Sequence, residues 1–202
     1  MVEDMTSLSK LNLNIPNLFL PKSITETIDL ISYDLSCLRT AIEYSMRYDT
    51  TEGFLTREID ERILLVLDKA ATFHAHPGYV SAMGLSIRIF LHLSSDRFPI
   101  SASDLGVLAS DLKAVLSEPD TRLCTTFELT MWQLFVGSVA TAADPSAGSW
   151  FRETLWKVSR AFLLSDWTRV LGFLDRAFMP DSRLLTAFEE AWKEVMTLSN
   201  SI

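Results

Sequence analysis

Five prolines follow Lys22 in this chain, at positions 77, 99, 119, 145 and 180, and each lies between stretches whose apolar residues recur every three or four positions. Proline lacks the amide proton a helix interior uses, and its ring clashes with the preceding turn, so it punctuates helices from outside. The steps of three and four between the prolines are those of helices seated on a core, and no stretch alternates as a half-buried strand would. The pattern predicts an all-α fold of about eight helices, packed as a bundle or a helix-pair stack.

The stretch 1–22, with Pro16 and Pro21, reads as an extended arm, and 23–202 as a single all-α domain. Ser23 and Glu26 have capping-box spacing, and Ile24, Ile28, Ile31, Leu35, Leu38 and Ile42 make one face of a first helix. Thr56 can cap a second helix, Pro77 suits the first turn of a third, and Ser101 can cap a fourth. The fifth, over about 122–142, is apolar almost all round and is expected at the centre of the molecule. Residues 144–148 read as a loop and 150–164 as a helix; Ser165 and Ser182 are the expected caps of the last two.

Composition narrows the function classes. The formal net charge is −8, and no run of five or six basic residues occurs, so this chain is not expected to grip nucleic acid by itself. The longest apolar run, 129–143, is shorter than the ~20 residues of a membrane span and contains Gln133, Ser138 and Thr141. Cys37 and Cys124 are too few and too far apart for a disulfide framework or a cysteine-rich zinc site. Mean hydropathy is +0.19. That apolar excess fits a large core, an apolar pocket or a self-association face such as a homodimer's.

Motifs with built-in chemistry are absent. There is no glycine-rich phosphate loop, no Gly-x-Ser-x-Gly elbow and no His-Glu-x-x-His zinc pair. No cofactor and no metal are expected. The three histidines, His74, His76 and His92, fall within one short stretch, and a histidine at a helix junction is a reasonable acid–base group. The bland reading, a ring bonded to a backbone carbonyl, is the more frequent one. Arg88, His92 and Asp96 follow at steps of four, and Tyr33, Tyr44, Arg47 and Tyr48 form a polar-aromatic set on the first helix. His92, His74 and Tyr44 are the candidate catalytic groups. Arg88, Phe90, Trp132 and Trp150 are the candidate ligand contacts, in an apolar cavity walled by aromatics of the third, fifth and sixth helices.

The second half resembles the fungal-specific transcription factor domain. The resemblance is carried by "LSIRIFLHL" (85–93) with Phe98-Pro99, by "LASDLKAVL" (108–116) and by "ELTMWQLFVGSVA" (128–140). Trp150 with Phe151 continues the series, which Trp167, Leu171, Leu174, Phe178 and Trp192 complete, so the likeness spans about 73–196. It implies an all-helical regulatory domain that binds an apolar metabolite, a protein partner or a second copy, in nucleus or cytoplasm. These 202 residues hold neither the six-cysteine zinc cluster nor the basic linker usual in that family. The alternative is a cofactor-free cyclase or isomerase of fungal secondary metabolism derived from such a domain. In that case binding of a preorganised conformer supplies the catalysis.

Overall fold

The computed structural model of the chain describes residues 22–48, 53–76, 78–95, 98–118, 121, 126–142, 145–178 and 180–198; along parts of the helix ends, 42–48 and 53–56 among them, it describes the backbone alone. The described residues form eight α-helices and no strand: α1 Lys22–Tyr48, α2 Gly53–Thr72, α3 Tyr79–Ser94, α4 Ala102–Ser117, α5 Phe127–Ala140, α6 Pro145–Ala161, α7 Trp167–Leu174 and α8 Ser182–Leu198. A short 3-10 turn, Phe73–Ala75, follows α2. The all-α expectation holds.

α5 is the axis of the molecule. Leu129 and every residue from Met131 to Ser138 are buried, and the helix packs against α3, α4, α6, α7 and α8. A helix apolar on all sides has no solvent face and so must be surrounded. α3 fills the next position inward, between α2, α4 and α5, while α1 packs chiefly on α2. Asp34 of α1 anchors that outer pair. It is largely buried and receives Arg62 at 3.4 Å and Lys69 at 3.2 Å, both from α2. Arg183 ties the start of α8 to the end of α3 by donating to the Ser94 carbonyl at 2.9 Å, an acceptor the helix itself leaves open.

Close approach at two points requires glycine. A Cβ on Gly84 of α3 would stand 2.6 Å from the Ala70 carbonyl oxygen and 2.7 Å from Phe73 Cβ. One on Gly137 of α5 would stand 2.2 Å from the ring of Phe151, which is itself buried. The Trp-x-x-x-x-Gly spacing from Trp132 to Gly137 therefore places α6 directly against α5.

The helix ends differ from expectation in an instructive way. Ser101 caps α4 as expected: its Oγ accepts the Asp104 amide at 3.0 Å and donates to Asp104 Oδ2 at 2.7 Å. Ser165 and Ser182 do not cap. Asp166 Oδ1 accepts the Arg169 amide at 2.9 Å, and Asp181 Oδ1 accepts the amides of Arg183 and Leu184 at 3.0 and 2.9 Å. In both places a carboxylate beside the serine wins, since it offers the helix N-terminus a full negative charge as well as an acceptor. The loop expected at 144–148 is helical from Pro145, whose fixed φ suits a first helical position. α2 begins at Gly53, ahead of Thr56, and α1 at Lys22, ahead of Ser23. Residues 1–21 of the expected arm, and Pro77, lie outside the described residues.

Candidate functional site

Thr126 fixes where α5 begins: its Oγ1 accepts the Leu129 amide at 3.3 Å, so Phe127 is the first helical residue. From there Phe127, Thr130 and Leu134 fall on one flank of the helix at steps of three and four. α6 presents a matching stripe at steps of four, Trp150, Thr154 and Val158. These two stripes, closed by Leu116 near the end of α4 and by Phe162 just beyond α6, line a cavity of about 300 Å³. That is the small end of the range for ligand sites.

The mouth of the cavity is aromatic and partly wet. Phe162 remains 52% exposed yet stacks on Phe127 with ring centroids 3.6 Å apart, and Phe127 in turn meets Phe173 of α7 edge-on at 4.8 Å. Polarity inside comes from two hydroxyls. That of Thr130 donates to the Thr126 carbonyl at 3.0 Å, and the other belongs to Thr154.

Phe162 owes its position to an unusual helix end. The Leu164 amide bonds the Ser159 carbonyl at 2.9 Å and the Leu163 amide bonds that of Arg160 at 3.1 Å. This is a Schellman stop, whose left-handed residue is normally glycine. Here it is Leu163, at φ 53 and 79% exposed, while Leu164 beyond it is buried. A side chain in that conformation costs roughly 1–2 kcal/mol. We expect Leu163→Gly to raise stability by about 1 kcal/mol, or about 3 °C in a chain of this size, read by calorimetry. An unchanged or lowered melting point would contradict the corner as described.

The candidate residues are only partly gathered here. Trp150 lines the cavity. Trp132 and Phe90 lie instead in the core, 5.5 Å apart between ring centroids, and α3 contributes none of the lining residues. The wall expected from the third helix is supplied by α4 through Leu116. His92 is half-buried at the end of α3, where its Nδ1 donates to the Phe98 carbonyl at 3.0 Å and ties down the chain leading to α4. His74 is exposed in the 3-10 turn, and Arg88 is half-buried on α3. The side chains of Tyr44, Arg47 and Tyr48, and Asp96, lie outside the described residues. Tyr33 is exposed on α1, its phenol held above the ordinary tyrosine range first by a hydrogen bond with the Cys37 side chain and then by that group's charge. Among the described residues no three His, Cys, Asp or Glu side chains gather to hold a metal, and no helix is long and apolar enough to cross a membrane.

Sequence reasoning passed over Phe127, Thr130, Leu134, Thr154, Val158 and Phe162 as a set, although both stripes are visible as spacings. What it lacked was the knowledge that these flanks of α5 and α6 face each other. No family model, curated protein or solved structure matches the chain.

Proposed function

We propose that this chain is a helical regulatory domain that binds an apolar small molecule in the cleft between α4, α5 and α6. The cavity's lining carries the reading: among the described residues it holds three aromatic rings, three aliphatic side chains, two hydroxyls and no titratable group. Such a lining favours a flat, uncharged ligand held by burial, with few hydrogen bonds to orient it. With no acid or base among those residues to activate either hydroxyl, binding is better supported than turnover. The regulatory character rests on the ordered likeness to the fungal-specific transcription factor domain, a likeness that includes Trp150 on the helix that forms one wall.

The test is direct. Titration calorimetry with 2-ethylnaphthalene, a two-ring probe small enough for the cavity, should give saturable one-to-one binding to the wild-type chain. Trp150→Ala should weaken it about tenfold or more, the effect of losing one buried aromatic anchor. Because Trp150 is only half-buried, thermal stability should fall little. Equal affinity in the variant, or no saturable binding to either protein, would remove the site.

A further inference from the structure

Thr154 stands at the middle of the α6 wall, one helical turn from Trp150 on one side and one from Val158 on the other, and all three line the cavity. It is half-buried. Hydroxyls inside the helices of this fold ordinarily return their proton to the carbonyl four residues back. Ser86 donates to the Ala82 carbonyl at 2.7 Å, Thr130 to that of Thr126 at 3.0 Å, and Ser159, on α6 itself, to that of Leu155 at 2.7 Å. Thr154 makes no such bond to Trp150, and its hydroxyl has no hydrogen-bond partner among the described residues.

The two hydroxyls of the lining therefore differ. The proton of Thr130 is committed to its own helix, and the proton of Thr154 is not. A ligand that fills the cavity takes the Thr154 hydroxyl out of water. A pure hydrocarbon would leave that proton unpaired, at a cost in affinity, whereas a ligand acceptor placed against it would restore the bond.

We infer that Thr154 is the specificity-determining residue of this cavity, and that the ligand carries a neutral carbonyl on its apolar body, held against the middle of the α6 wall one turn from Trp150. The inference rests on the ligand-binding reading above. A carbonyl oxygen accepts the proton and brings none of its own to satisfy. An ionised carboxylate fits poorly, because it would be buried without a cation: no basic side chain is among the described lining residues. An amide would add N–H protons, for which that lining offers no side-chain carbonyl or carboxylate.

Two probes of matched shape test this: 2-acetylnaphthalene, the ketone, and 2-ethylnaphthalene. Thr154→Val removes the hydroxyl and keeps the shape of the side chain. By titration calorimetry, the ratio of ketone affinity to hydrocarbon affinity should fall about fivefold or more from the wild type to this variant. A 13C label on the ketone carbonyl gives a second readout, which the wild type supplies alone. A hydrogen-bonded carbonyl resonates downfield of a free one, so the bound signal should stay near its value in water. In Thr154→Val it should move upfield, toward its value in a hydrocarbon solvent. If the hydrocarbon binds but the ratio is the same in both proteins, the cavity reading stands and the role of Thr154 fails. A wild-type bound carbonyl at its hydrocarbon-solvent value overturns the inference as well. So does a Trp150→Phe protein, which lacks the indole N–H of the lining, if it erases the preference while Thr154→Val does not. If neither probe binds, both readings fall together.

Discussion

Trp132→Ala should lower the free energy of unfolding by about 4 kcal/mol. The indole is 0% exposed at the centre of α5, tilted against Phe90 at 5.5 Å and Phe178 at 4.9 Å, so its removal opens a cavity where α3, α5 and the chain before α8 converge. Set against a typical total of about 5–15 kcal/mol, that loss leaves the protein marginal or unfolded at 37 °C. Trp132→Phe should cost about half as much. The indole N–H has no partner among the described residues, so phenylalanine loses volume but no hydrogen bond. Urea denaturation of the three proteins measures both differences. A Trp132→Ala protein within 1 kcal/mol of wild type would mean that the residue is not the core element described here.

Gly137→Ala should be nearly as damaging, by about 3 kcal/mol, from overpacking instead of a void. The added methyl would meet three ring atoms of Phe151 at 2.2, 2.5 and 2.6 Å. That ring is sealed in the core and cannot swing into solvent, so α6 must move away from α5. The cost should therefore be conditional. Phe151→Leu alone should destabilise, but Gly137→Ala combined with it should be more stable than the sum of the two losses by about 1–2 kcal/mol. Simple additivity in that double-mutant cycle would show that the two helices do not meet at this pair. The same displacement would distort the cavity, whose walls are those two helices, so the single variant should also lose affinity for 2-ethylnaphthalene.

The parts of the fold legible in the sequence were those set by one element at a time. The steps of three and four through Ile31, Leu35 and Leu38, all buried, name the inward face of α1, because a helix with one apolar stripe has one way to sit; the side chains of Ile24, Ile28 and Ile42 in the same series lie outside the described residues. The all-round apolar stretch at 129–138 announced its own central place. Boundaries were harder where two capping residues stood side by side, as in Ser165-Asp166 and Asp181-Ser182, since spacing alone does not rank a hydroxyl below a carboxylate. The cavity was least legible. Its lining is the meeting of flanks from α4, α5 and α6, and nothing in the chain says that α4, not α3, closes it. His92 had the chemistry of a site residue, but the Phe98 carbonyl that occupies its Nδ1 becomes a neighbour only after the chain turns at the end of α3. Gln133 was visible as a polar interruption of an apolar run; its burial with no hydrogen-bond partner among the described residues was not.

The proposed ligand site lies against Trp150 and not in the aromatic core or beside the histidines. The chain has five tryptophans, so labelling with 5-fluorotryptophan and assignment by single Trp→Phe variants gives five distinguishable 19F resonances. Adding 2-ethylnaphthalene should shift the Trp150 resonance most, through the ring current of a probe lying against it in the cavity. Trp132 and Trp192, enclosed among Phe90, Phe135 and Phe178, should hardly move. A titration in which Trp132 moves and Trp150 does not, or in which none of the five moves, would contradict the site.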